Sequence, residues 1–202
     1  MPKLKDSDKI LIVTEGSSDT FILKKTIDEL FPDISDFFSF IDMQDNYPFT
    51  GTGNLFNFSA GLSKIKIQNK TMVIFDNDDT GRVSYNKCIE RLDLLPNLKF
   101  YYLPVMEEFE KFLTIGPTGE AYEDINGKAV SIECFLDLQY NSKDKPKIRW
   151  TNFNNQTSQY QGSLVNKDHY TNVFKKNLLK DDYNKSKLVF LINNIIEFWC
   201  KN

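Results

Sequence analysis

The chain predicts an α/β fold: a mainly parallel four-stranded sheet with helices on both faces, followed by an α+β extension. Three observations predict it. Short apolar runs rich in β-branched residues at 9–14 and 71–75 have the length of buried strands, and residues 37–43 and 98–103 read as two more. Stretches with apolar residues at helical spacing separate them, giving the strand–helix alternation of a parallel sheet. Two of the runs break off into carboxylates and a glycine, Glu15-Gly16 after the first and Asp76-Asn77-Asp78 with Gly81 after the third.

The elements follow in order. Ser17 or Ser18 is a good N-cap for a helix whose stripe is Leu23, Ile27, Leu30 and Phe31, stopped by Pro32 and Asp33. Residues 37–43 form the second strand. Residues 45–54, with two glycines, read as a loop before a helix over 55–67. After the acidic turn, a helix over 83–95 carries Tyr85, Cys88, Ile89, Leu92 and Leu95 on one face, which makes Cys88 a core residue. Pro96 ends it, and the strand at 98–103 closes the sheet. Residues 1–104 are thus the expected core, and 105–202 an extension that completes the same domain.

In that extension, residues 106–112 are short, acidic and helical in pattern, and 116–128 hold enough Gly, Pro, Asn and Asp for a surface loop. Residues 129–138 read as a short helix or strand. A Pro-interrupted basic loop at 143–149 leads into an edge strand, and a helix follows Lys167. Leu188, Leu191, Ile192, Ile195 and Trp199 mark an amphipathic helix near the end.

Composition narrows the function classes. With 202 residues the chain is long enough for one domain with an appendage. Its net charge of −3 lacks the global basic character of non-specific nucleic-acid binders, though a local patch suffices for a hydrolase. Three scattered cysteines (Cys88, Cys134, Cys200) form no C-x-x-C pair, so neither a disulfide framework nor a zinc site is expected. No apolar leader or run of membrane-spanning length is visible, and the expected location is the cytoplasm, without membrane. His169 is the single histidine, so a Ser-His-Asp or Cys-His system would rest on it alone.

The acids carry the chemistry. If the first and third strands are parallel neighbours, Glu15, Asp76 and Asp78 converge at the sheet edge where open α/β sheets bind ligands. Three carboxylates there repel one another unless a cation sits between them, and such hard oxygen ligands suit Mg2+ or Mn2+. Glu15 would hold the ion or act as base on an attacking water. The helix N-terminus after Glu15 favours an anion such as phosphate. Arg82 is placed to contact phosphate or to pair with Asp79, itself a turn or cap residue. Glu133 lies between apolar neighbours, and a buried carboxylate needs a partner, which is a metal, a helix cap or a lysine. Lys147 and Arg149, with Trp150, Phe153 and Tyr160 close behind, form the basic–aromatic interleaving that can hold single-stranded nucleic acid; the plainer reading is a surface loop entering an edge strand.

Glu15-Gly16 after one strand and Asp76-x-Asp78-x-x-Gly81-Arg82 after another resemble the Toprim domain of primases, topoisomerases, RNA-maturation nucleases and overcoming-lysogenisation-defect nucleases. Residues 116–119, 125–136, 148–154 and 161–174 resemble the Toprim half of bacterial HEPN/Toprim-associated proteins. The resemblance implies a Toprim-like sheet and a divalent-metal-dependent nuclease acting on DNA or RNA, in anti-phage defence or nucleic-acid processing. It also implies Asp19 as a ligand to a second metal, Glu133 as a further acid of the site, and Lys167 as the late lysine on the scissile phosphate. No arginine stands a few residues before His169, so the HEPN ribonuclease pair is not expected here. The competing expectation is a Toprim-like nucleotide- or nucleic-acid-binding regulatory subunit without catalysis, working beside a partner protein or as a homodimer.

Overall fold

A computed structural model of the chain describes residues 8–41 and 52–201. Its elements in order are β1 (Ile10–Val13), α1 (Ser17–Leu30), α2 (Pro32–Ser35), β2 (Phe38–Phe40), α3 (Thr52–Lys64), β3 (Thr71–Phe75), β4 (Asn77–Asp78), α4 (Asp79–Arg91) and β5 (Leu98–Tyr102). Then follow β6 (Phe112–Gly116), β7 (Gly119–Glu123), β8 (Ala129–Val130), β9 (Ile148–Asn154), β10 (Gln159–Leu164), α5 (Lys167–Asn177) and α6 (Ser186–Lys201), with 3-10 turns at Glu107–Phe109 and Ile132–Phe135. No helix among the described residues is long and apolar enough to cross a membrane.

The chain divides into two compact units. One comprises Met1–Phe75, Val83–Tyr102 and Ile195–Asn202; the other comprises Asp76–Arg82 and Leu103–Asn194. The first unit holds the four-stranded sheet, in the order β2-β1-β3-β5 with every neighbouring pair parallel. All five residues of β3 are buried, as suits an inner strand of a parallel sheet covered on both faces. Val13, Val73, Phe75, Leu98 and Phe100 from the sheet pack with Leu55 and Leu62 of α3 and with Cys88 of α4. Cys88 is fully buried, and that burial raises its thiol pKa to about 12, so the core role read from its spacing holds. Along α1 the buried stripe is Ile22, Leu23, Thr26 and Ile27, displaced towards the N-terminus from the expected Leu30 and Phe31. At the C-terminus Lys99 donates to the Trp199 carbonyl at 2.9 Å and lies over the indole, which ties the last turn of α6 to β5.

The second unit is built on a different sheet, ordered β10-β9-β6-β7. Two antiparallel hairpins, β6–β7 and β9–β10, are joined by a short parallel pairing of β6 with β9. Its core includes aromatic pairs: Phe109 and Phe135 meet edge to face at 5.3 Å, and Phe174 of α5 is buried beside Tyr183. A separate two-residue antiparallel ladder joins β4 to β8, with Asn77 opposite Val130 and Asp78 opposite Ala129.

Several local expectations are corrected. The segment read as a surface loop after residue 116 is the β6–β7 hairpin, turning through Pro117 and Thr118. The acidic stretch at 106–112 forms one 3-10 turn and then enters β6. Helix α4 starts at Asp79, four residues before the expected start, and Ile89 is exposed. The expected loop at 45–54 lies outside the described residues up to 51, and its last three residues open α3.

Candidate functional site

In the first unit, the register pairs Leu11 with Thr71 and Val13 with Val73, so β1 and β3 end at the same edge of the sheet. The chain leaves β1 through Thr14 and Glu15, and α1 begins at Ser17. Glu15 is half-buried. The Gly16 N–H donates to Asp19 Oδ2 at 2.9 Å, and the Ser18 hydroxyl donates to Asp19 Oδ1 at 3.4 Å. Asp19 therefore closes the first turn of α1, where an acid also complements the positive end of the helix dipole. Thr14 and Thr20 share a buried hydroxyl–hydroxyl bond of 2.8 Å that fixes the same turn.

The second unit contains the acidic turn. Asp78 is the N-cap of α4: its Oδ1 accepts the Gly81 N–H at 2.7 Å and the Thr80 hydroxyl at 3.1 Å. Oδ2 accepts Gln161 Nε2, and the Gln161 Oε1 in turn accepts the Thr80 N–H at 3.2 Å. One carboxylate is thereby fixed from both sides. Gly81 is required by contact, since a Cβ there would lie 2.3 Å from the Asp76 carbonyl oxygen and 3.1 Å from Asp78 Oδ1. Asp79, expected as a turn or cap residue, is instead the first residue of α4, where it is buried and accepts from Asn154 Nδ2 at 2.6 Å. The Arg82 guanidinium lies against the backbone of Gly127.

Asn77, between the two aspartates, is fully buried, yet neither its Oδ1 nor its Nδ2 bonds to any described residue. An orphaned buried amide costs about 1–3 kcal/mol and asks for an explanation beyond packing.

Glu133 and Lys167, singled out separately in the sequence, meet. Glu133 is 3% exposed within the 3-10 turn after β8, and its Oε2 accepts the Ser131 hydroxyl at 2.7 Å. Lys167, the first residue of α5, holds its ammonium 3.5 Å from the same oxygen. The buried acid thus has a lysine partner, one of the three outcomes its burial allowed. Asp76 and Ser131 each stand one residue outside the β4–β8 ladder, at its same end, so this pair follows closely on the acidic turn.

The basic–aromatic stretch forms the β9–β10 hairpin. Lys147 pairs with Glu120 at 2.8 Å, while Arg149 is exposed opposite Ser163. A bulge at Thr151 offsets the ladder between Gln161 and Gly162, pairing Trp150 with Gly162 and Phe153 with Tyr160. Because Tyr160 and Gly162 share a face, so do Phe153 and Trp150, three residues apart. Trp150 is pinned: its Nε1–H donates to Glu123 Oε2 at 2.7 Å, an oxygen that also accepts from Thr114. These bonds hold the Glu123 pKa below the usual glutamate value. A Cβ on Gly162 would come within 2.7 Å of the indole, so only glycine leaves room for the ring. Phe153 and Tyr160, both about half exposed, stack edge to face at 5.0 Å beside it.

Sequence reasoning missed Gln161 and Asn154, which hold Asp78 and Asp79 across 83 and 75 residues of chain. Among the described residues, no three His, Cys, Asp or Glu side chains are gathered so as to hold a metal ion. The donor chemistry nevertheless fits Mg2+, which is commonly bound by one or two carboxylates together with substrate phosphates rather than by a protein cage. No protein-family model, curated protein or solved structure matches the chain.

Proposed function

We propose that this protein is a divalent-metal-dependent nuclease that hydrolyses nucleic-acid phosphodiester bonds, with a Toprim-like arrangement of its acids. The observation that carries the reading is the Asp78 carboxylate, fixed by Gly81, Thr80 and Gln161 on the turn that leaves a buried parallel strand. A carboxylate held this way needs no reorganisation when charge arrives. Asp78 and Asp76 would hold Mg2+ or Mn2+, which when bound offsets charge on a phosphate oxygen. Arg82 and Lys167 supply positive charge to the anionic substrate, and Glu133 fixes the Lys167 ammonium. The aromatic face of the β9–β10 hairpin offers bases a stacking surface, and Gln161 and Asn154 join that hairpin to the acidic turn. Glu15, by the sequence reading, would hold the ion or act as base on the attacking water.

One observation favours the second reading, a nucleic-acid-binding subunit without catalysis. The hydrogen bonds of Asp78 go to protein donors, as an acid kept for capping would require. Incubating the purified chain with plasmid DNA and with RNA in Mn2+ separates the two. The nuclease reading expects cleavage that Asp78→Asn abolishes, since asparagine still caps α4 but brings no negative charge. It expects Glu15→Gln to bind substrate without cutting it. Substrates bound but left intact by the wild-type chain establish the binding module; cleavage that survives Asp78→Asn and Asp76→Asn refutes the assigned acids.

A further inference from the structure

Away from the acidic turn, the second unit contains a cavity of about 430 Å³ that no part of the nuclease reading uses. The size falls within the range of small-molecule sites. It is walled by Phe109, Phe112 and Tyr122, and three lysines, Lys111, Lys145 and Lys187, line it. Two acids also line it, Glu108 and Asp137. Asp137 is already engaged: its Oδ1 accepts the Gln139 N–H at 3.2 Å and its Oδ2 the Asn184 N–H at 2.9 Å. Lys145 donates to the Tyr122 hydroxyl at 3.2 Å, bringing an ammonium beside an aromatic wall.

Lys187 is the informative residue. It lies in the first turn of the sixteen-residue α6, which has no acidic side chain in that turn. A cation there opposes the helix dipole, whereas an anion would be favoured by the dipole and by the free N–H groups. Its ammonium stands 5.8 Å from the centre of the Phe109 ring, and no described carboxylate lies within 4.0 Å of it. Lys187 is half-buried, and a partly desolvated cation without an ion pair at contact distance is favoured when an anion joins it.

We propose that this cavity binds a small phosphomonoester carrying a planar ring, the chemistry shared by mononucleotides and phosphorylated pyridines. The phosphate lies against Lys187 and the first turn of α6, and the ring against Phe112 and Tyr122. This site is independent of the acidic turn. Burial also lowers the Lys187 pKa below the ordinary lysine value, while Cys134, Glu108 and Asp137 act in the opposite direction.

The test uses the full chain and two probes. Calorimetric titration with AMP, adenosine and inorganic phosphate is expected to give saturable binding of AMP, with each fragment at least about tenfold weaker. Lys187→Met weakens AMP binding by about tenfold or more, the loss of one charge-assisted contact, and Lys187→Arg retains it. Asp78→Asn binds AMP like the wild type, so failure of the nuclease reading leaves this result standing.

The second probe is pyridoxal 5′-phosphate. The Lys187 amine adds to the aldehyde carbon, water leaves, and hydride from added borohydride reduces the imine to a stable secondary amine found by peptide mass mapping. Label concentrated on Lys187 and blocked by AMP supports the site for both ring types; label on Lys187 that AMP does not block restricts it to the pyridine class. The proposal is overturned if neither probe saturates below about millimolar concentration. It is equally overturned if Lys187 is labelled no faster than the exposed Lys201, or if Lys187→Met and Lys187→Arg both bind as the wild type does.

Discussion

Replacing Gly81 by alanine tests the geometry of the acidic turn directly. The new methyl carbon would sit 2.3 Å from the Asp76 carbonyl oxygen and 3.0 Å from its carbon, both backbone atoms that no rotamer change can remove. Either the first turn of α4 or the strand end must move. Overpacking of this kind costs about 1–3 kcal/mol. Movement also stretches the 2.7 Å cap from Gly81 N–H to Asp78 Oδ1, and losing an N-cap costs about 0.5–2 kcal/mol. The gain in helix propensity, about 1 kcal/mol, only partly offsets this. A net loss of about 2 kcal/mol lowers the melting temperature by about 4–8 °C for a chain of this size. The matched control is Gly61→Ala in α3, where nothing lies within 4 Å of the added methyl. There the propensity gain stands alone, and melting rises by about 2–4 °C. Circular dichroism melts of the two variants beside the wild type decide the matter. If Gly81→Ala melts at or above the wild type, the close approach of Asp76 to α4 is wrong.

Asn77→Leu removes an amide with no described partner from a fully buried position; we expect unchanged or higher stability in urea melts, together with loss of cleavage if the amide serves the substrate. For the Glu133–Lys167 pair the costs are unequal: Lys167→Met takes the lysine from a buried carboxylate and destabilises by about 1–3 kcal/mol, while Glu133→Gln takes the carboxylate charge from a lysine that is 36% exposed and costs less, an order that chemical denaturation measures. The Glu123 carboxyl has a lowered pKa in the folded chain, so its contribution is complete above the ordinary glutamate value of 4.5 and disappears as pH falls through the lower folded value. Trp150 fluorescence should therefore change only below about pH 4.5, and Glu123→Gln should remove that acid step.

The parallel sheet was legible because β1 and β3 are short apolar runs with polar boundaries and β5 is broken only by Lys99, a pattern that survives any tertiary context. The β6–β7 hairpin was not. Gly116, Pro117 and Gly119 are loop residues in isolation, and β7 is exposed at all five positions, so it shows no apolar alternation. A ligand reading of Asp78 leaves out its second role: a carboxylate three residues before a glycine N–H is also an N-cap, and that cap starts α4 at Asp79. The partner of Glu133 was half legible, since burial of an acid demands one and Lys167 had been singled out on other grounds. Gln161 and Asn154 left no local signal, because their chemistry arises only when distant strands meet the turn.

The offset at Thr151 has a consequence for how this hairpin tolerates changes in length. Thr151 is the one residue of β9 with no cross-strand partner between Asn152 and Trp150. A chain shortened by that residue keeps all six pairings and the same three rings side by side. Removing one residue from the middle of β10 instead turns Tyr160 to the opposite side from Trp150. Deletions are thus absorbed on one strand and punished on the other, and the hairpin can lose its kink without losing its aromatic surface.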